Sequence, residues 1–271
     1  MVILAAVSDL HTNSTIALCP NKVDLDDGGT YTPSKLQKWI NGLWADYWGL
    51  VDRLKSEHHA EVVTIINGEL ADNNKHGTTQ LISRNPADQV KAALAVLEPV
   101  RAVSDQVIVT RGTAAHVGSS SNMDEGLAQS IATIRNKSEG TASWWRWYGV
   151  IGGVRVDAAH HPGTGSGRPW TTGGAAIRVA NMVASEYVRR GMKPPDLVLR
   201  GHNHRPEDSF RNVRPTRAVI TPSWQGPTDF GHRLGGELLP IGGNIFGLHK
   251  GRIVLDLDFH HDIPLERWRR T

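Results

Sequence analysis

Five short stretches of this chain carry residue types that bind metals or move protons, and each lies at the end of an apolar run. Asp9-Leu10-His11 follows an apolar run over residues 2–7, and Asn67-Gly68-Glu69 follows residues 62–66. Gly112-Thr113-Ala114-Ala115-His116 comes soon after residues 107–109, and His160-His161-Pro162 follows a hairpin that turns at Gly152-Gly153. Gly201-His202-Asn203-His204 follows residues 197–199. The set offers two carboxylates, several imidazoles and no thiolate. Carboxylate with imidazole suits Mn²⁺, Fe or Zn²⁺ rather than Ca²⁺. Two such ions close together, joined by a bridging carboxylate, clamp the attacking and leaving oxygens of phosphoryl transfer.

The elements must bring these stretches to one place. Apolar runs that end in polar clusters read as buried strands, and open α/β sheets collect ligands at the C-terminal ends of their strands. The helices between them are equally plain. Ser34 caps a helix whose apolar stripe runs through Leu36, Trp39, Ile40, Leu43, Tyr47, Leu50 and Leu54. Asn85-Pro86 starts a second helix, residues 123–135 read as a third, and an Ala-rich one covers roughly residues 174–190. Residues 217–220 and 253–259 read as closing strands. Residues 19–33 and the Gly-rich 226–251 read as loops, the latter a candidate lid or contact surface.

Composition narrows the function classes. With 271 residues, no repeat and no linker, one domain over 1–271 is the simplest reading. The single cysteine, Cys19, excludes an intramolecular disulfide and a cysteine-ligated zinc cluster, and suits a reducing, cytoplasmic location. No segment is long and apolar enough for a membrane span, so no membrane partner is expected. A net charge of +3, without a long basic run, is a weak nucleic-acid signal.

The order Asp-x-His, Gly-acid, Gly…His, His, Gly-His-x-His resembles the signature of the calcineurin-like metallophosphoesterases, over roughly residues 1–260. Variant details (NGE…KHGTTQ, RGTAAHVG, TPSWQGPT) are similar to phage and prophage members of that family. The resemblance implies a four-layer α/β/β/α sandwich with two mixed β-sheets. It implies two divalent ions, Mn²⁺ foremost, with Fe, Zn²⁺ or Ni²⁺ as alternatives, and a phosphomonoester or phosphodiester substrate attacked by a metal-activated hydroxide. Nucleotides and nucleic acid belong to that substrate range. Residue by residue, Asp9 and His11 would hold the first ion, Glu69 would bridge, His160 and His202 would hold the second, and His204 would return to the first. His116 would protonate the leaving group.

Two departures stand out. Glu69 replaces the family's bridging aspartate, and Gly-Thr-Ala-Ala-His replaces Gly-Asn-His, so the family's amide ligand is missing. Thr113, Asp72, His76 and Glu125 are candidates to fill in, as ligands or behind them. These departures also motivate an alternative, a binding or regulatory module that keeps the fold without hydrolysis. Arg111, Arg168, Arg200 and Arg205 flank the clusters; Arg111 and Arg205 are the candidate phosphate-binding groups. For each, a surface salt bridge is an equal reading, and for Trp170 and Trp224 packing outweighs stacking on a base. His58, His59, His232, His249, His260 and His261 stay unassigned, because a lone histidine is usually a surface or satisfied core residue.

Overall fold

The computed structural model describes residues 1–73, 77–163, 174–210, 215–229, 232 and 237–264. In chain order these form β1 (Val2–Val7), a small ribbon of β2 (Val23–Asp24) and β3 (Thr30–Tyr31), α1 (Lys35–Glu57), β4 (Glu61–Asn67), α2 (Pro86–Val96), α3 (Glu98–Val103), β5 (Gln106–Thr110), α4 (Ala114–Val117) and α5 (Asn122–Ile131). Then come β6 (Trp147–Ile151), β7 (Val154–Ala158), α6 (Gly174–Arg189), β8 (Leu197–Arg200), β9 (Glu207–Asp208), β10 (Arg217–Ile220), β11 (Ile241–His249) and β12 (Arg252–His261).

Two mixed sheets result, ordered β12-β11-β1-β4-β5 and β6-β7-β8-β10-β9. Strands β1, β4 and β5 run parallel, as do β7, β8 and β10, while β11 is antiparallel to β1. The strand alternation splits the apolar residues between layers. Ile3, Ala5 and Val7 pack under the helices with Trp44, Tyr47 and Trp48 of α1. Leu4 and Ala6 face the other way and meet Val156, Leu197 and Val219 of the second sheet. On that sheet's far side, Val198 and Ala218 pack against Val179, Val183 and Tyr187 of α6. The layers are therefore α/β/β/α, as the resemblance implied.

Three local readings need correction. Helix α1 has the expected Ser34 capping box, but its buried face is turned toward Trp44, Trp48 and Val51, leaving Leu36, Trp39 and Leu50 only partly buried. The Gly-rich 226–251 is not all loop: residues 241–249 form a nine-residue, almost wholly buried strand between β1 and β12. Its glycines are required by close approach, since a Cβ on Gly242 would stand 1.7 Å from the Phe259 carbonyl oxygen. Residues 19–33 hold the β2–β3 ribbon rather than only loop.

No described helix is long and apolar enough to cross a membrane.

Candidate metal centre

The C-terminal ends of β1, β4, β5, β7 and β8 converge, and backbone hydrogen bonds lock their loops together. Asp9 N–H donates to the Gly68 carbonyl (3.1 Å), His11 N–H to the Glu69 carbonyl (2.9 Å) and Gly201 N–H to the His160 carbonyl (2.9 Å). The junction between the two sheets is tight: a Cβ on Gly201 would lie 1.9 Å from Ser8 Oγ and 2.7 Å from Asp9 Oδ2. This is why glycine opens the GHNH stretch. Asp9, His11, Glu69, His202 and His204 all adopt positive φ, between 45° and 70°. Left-handed backbone at non-glycine residues is costly and gathers at functional sites.

The side chains form two groups that share Glu69. Single donor atoms of Asp9, His11, Glu69 and His204 lie within 4.8 Å of one another, as do those of Glu69, His160 and His202. Glu69 reaches both ways: Oε2 is 3.1 Å from His11 Nε2, and Oε1 is 3.2 Å from His160 Nε2. Asp9 is more central than expected. Its Oδ1 is 3.3 Å from His204 Nε2 and 3.8 Å from both His11 Nε2 and His160 Nε2. Its Oδ2 is held by the Ser8 hydroxyl and by His202 N–H at 3.0 Å.

Each central imidazole is oriented from behind. His160 Nδ1 donates to the Asn67 carbonyl (2.6 Å), and His11 Nδ1 faces Asp72 Oδ1 (3.0 Å). Such partners fix the tautomer and present Nε2 as the ligating atom. Asp9, His11, Glu69 and His160 are at most 1% exposed. Two of their atoms, Asp9 Oδ1 and His160 Nε2, lack a hydrogen-bond partner among the described residues. Buried polar atoms are rarely orphaned. An orphaned carboxylate oxygen and an orphaned imidazole nitrogen 3.8 Å apart fit a cation, and imidazole with carboxylate is a donor set for Mn²⁺, Fe or Zn²⁺.

Electrostatics agrees with that fit. Burial opposes charge on Asp9 and Glu69, yet His160 and His11 outweigh it and hold both carboxylates well below their usual range. Burial likewise opposes charge on His160, but Glu69 and Asp9 push it up to about 9. Without an added cation, then, these carboxylates recruit protons onto the imidazoles. His202 is the exception: burial, reinforced by the charge of His160, lowers it to about 4 and keeps it neutral.

The remaining expected residues fall around this centre rather than in it. Asp72 stands behind it, bonded to His11, to His116 Nδ1 (2.7 Å) and to Gln225 Nε2 (3.2 Å). The His116 ring is edge-on to His11, with centroids 4.8 Å apart. Thr113 takes hold of Glu69 Oε1 through its hydroxyl (2.5 Å) and its N–H (3.2 Å). His76, Arg168 and Trp170 lie outside the described residues.

The arginines are committed elsewhere. Arg111 bonds Ser143 Oγ (2.8 Å), pairs with Glu125 (3.4 Å) and covers the Trp145 ring. Arg205 makes a two-pronged pair with Glu237. Arg200 is buried against Asp157 at 2.8 Å. Glu125 holds the 142–143 backbone, so it does not fill in at the centre. Trp224 is wholly buried against Trp44.

Sequence reasoning passes over Asp124. Fully buried at the start of α5, it accepts N–H bonds from Gly112 (2.7 Å), Leu70 (2.9 Å) and Glu69 (3.1 Å). It clamps the β4 and β5 loops against each other, and burial pushes its carboxyl up to about 6. Nothing in the local pattern marks it, because its partners are backbone groups far away in the chain.

No family model matches the sequence, and no curated protein does. Solved structures resemble it in chain trace. Vps29 of Chaetomium thermophilum superposes with a TM-score of 0.43 at 12% identity, covering 92% of this chain and 82% of that one. The sulfate thiohydrolase SoxB of Thermus thermophilus, in complex with glycerol, gives 0.40 at 12% identity over 97% of this chain and 56% of that one. A 5′-nucleotidase of Candida albicans gives 0.39 at 10% identity over 82% and 45%.

Proposed function

We propose that this protein is a metal-dependent phosphoester hydrolase of the calcineurin-like metallophosphoesterase type, with Asp9, His11, Glu69 and His204 holding one divalent ion and Glu69, His160 and His202 a second. The observation that carries the reading is the pair of orphaned buried atoms, Asp9 Oδ1 and His160 Nε2, 3.8 Å apart and each in a donor group that includes Glu69. Bound divalent ions would supply Lewis acidity toward water and neutralise phosphoryl oxygens. The rest falls to the chain. Thr113 fixes the rotation of Glu69 through Oε1, and Asp72 aligns His11 and His116 together.

His116 is the proton donor to the leaving oxygen. Burial alone would favour its neutral form, but the hydrogen bond to Asp72 and the charge of Glu69 prevail and raise its pKa. The shift favours the protonated form that a proton donor needs, and Asp72 holds the ring through Nδ1.

The test is hydrolysis of an aryl phosphodiester and its monoester by metal-stripped protein titrated with Mn²⁺, alongside His116→Ala. Mn²⁺-dependent turnover is expected, falling about 100-fold or more in the variant. Folded protein that binds Mn²⁺ without turnover would overturn the hydrolase reading. It would leave the non-hydrolytic binding module, with Thr113 in place of an amide ligand as its cause.

A further inference from the structure

A cleft of about 350 Å³ opens between β9–β10 of one sheet and β11–β12 of the other. It lies two residues beyond His204 along the chain, yet none of the metal-ligand candidates lines it. Glu207, Asp208, Phe210, Asn244, Asp258 and His260 do.

Three features show what it could hold. The first is Asn244, only 1% exposed on β11. Its Nδ2 donates to Asp258 Oδ1 (2.7 Å) and lies 3.4 Å from His260 Nε2, which fixes the orientation of the amide. Its Oδ1 is left with no hydrogen-bond partner among the described residues. A buried acceptor without a donor is a standing demand for one.

The second is charge. Asp208 shares Arg217 with Asp256, and Glu207 accepts N–H bonds from Ala175 (2.9 Å) and Ala176 (3.2 Å) and lies within the field of Arg205. Asp258 has no cation partner among the described residues; it accepts a hydrogen bond from Asn244. The third is Phe210, held at φ +44 with 59% of its surface exposed, its N–H bonded to Asp208 Oδ1 at 2.6 Å. A bulky residue in the left-handed region is an outlier, and such strain gathers where ligands are gripped.

An anion would meet carboxylates here. A metal ion has no convergent donor set at this cleft, since the described groups close enough to share one all involve residues of the centre above or Asp72 and His116 beside it. We propose that the cleft binds an organic cation with N–H donors, a guanidinium or primary ammonium group, given to Asn244 Oδ1 and Asp258, with its stem against the Phe210 ring. Val219 supplies an apolar wall for that stem, and the Phe210 ring already has the Arg217 guanidinium 5.8 Å from its centroid, the contact an aromatic face makes with a cation. This binding does not depend on hydrolysis at the metal centre.

Two sources of such a group are a free amine and an arginine side chain of a peptide. Calorimetric titration of the full chain with agmatine, with N-acetylarginine N-methylamide and with a neutral alkylurea of matching length separates them. NMR of the His260 imidazole locates the site. Saturable binding of at least one cation is expected, with the alkylurea and the Asp258→Asn variant each about tenfold weaker, the worth of a charged hydrogen bond. Asp258 is exposed, so that variant leaves the core intact; Phe210→Ala, also at an exposed side chain, is expected to weaken binding several-fold. Tighter binding of the blocked arginine assigns a peptide partner, and tighter agmatine a free amine. No saturable binding of either cation, equal affinity in Asp258→Asn, or binding that leaves His260 unperturbed would overturn the proposal.

Discussion

One methylene separates Glu69 from an aspartate, and the geometry shows what that methylene does. Glu69 Cγ occupies space that only a glycine at 112 leaves open, because a Cβ there would stand 2.4 Å from it. The longer arm lets one carboxylate come within 3.1 Å of His11 Nε2 and 3.2 Å of His160 Nε2 at once. Shortening it withdraws the carboxylate by about 1.5 Å, one carbon–carbon bond, and it cannot keep both approaches. Glu69→Asp is therefore expected to bind one ion nearly as before and the other about tenfold or more weakly, in the range seen when support around a metal ligand is lost. Calorimetric Mn²⁺ stoichiometry checks this. Two ions bound at undiminished affinity in the variant would show that Glu69 is not shared. The longer bridge thus reads as matched to Gly112 and Thr113 rather than as damage.

The elements divide into those whose sequence declares them and those whose partners do. Strands β1, β4 and β5 are readable because both faces are buried and the apolar run stops where the polar cluster starts. Helix α1 is readable from Ser34 and its spacing, although its exact face is not, since Trp44 is drawn inward by Trp224 from far along the chain, and Trp48 packs edge-on to Trp44. Strand β11 is unreadable because three glycines dilute its alternation, and their reason is the backbone of β12 and β1 lying against them. The site divides in the same way. The histidines sit at strand ends, where spacing exposes them, and Asp72 lies just past one such end, whereas Asp124 works through distant backbone. The glycine argument is testable on the element itself. Gly242 has φ +154 and no room for a Cβ, so Gly242→Ala is expected to lower stability by about 3 kcal/mol, at the upper end of overpacking costs. Urea unfolding measures it, and an unchanged midpoint would contradict the β11–β12 register.

For the whole molecule, the candidate metal centre is where two sheets that otherwise meet through apolar packing are joined by charge. Asp9 and Glu69 come from the first sheet, and His160, His202 and His204 from the second. In metal-stripped protein the join is a carboxylate–imidazolium cluster, and its pH dependence follows from the shifts. His160 is raised from its ordinary 6.5 to about 9, so its contribution is complete below about 6.5 and is lost as pH climbs through 9. Asp9 and Glu69 are depressed, so theirs is present above the ordinary carboxylate range and stays so over this window. Raising the pH from 6.5 to 9 therefore removes the His160 proton, one of those that neutralise the two buried carboxylates, with His11 supplying another, and the stripped fold weakens. With divalent ions bound the imidazoles are already deprotonated, and the cations take over the neutralising role, while binding itself strengthens as fewer protons must be displaced. The gap in Tm between Mn²⁺-loaded and stripped protein is thus expected to widen steadily from pH 6.5 to 9. Paired thermal melts across that range decide it: a constant or narrowing gap would mean that His160 does not share its charge with Asp9 and Glu69, and that the two sheets are joined at this end by hydrogen bonds such as that from His202 N–H to Asp9 and by packing.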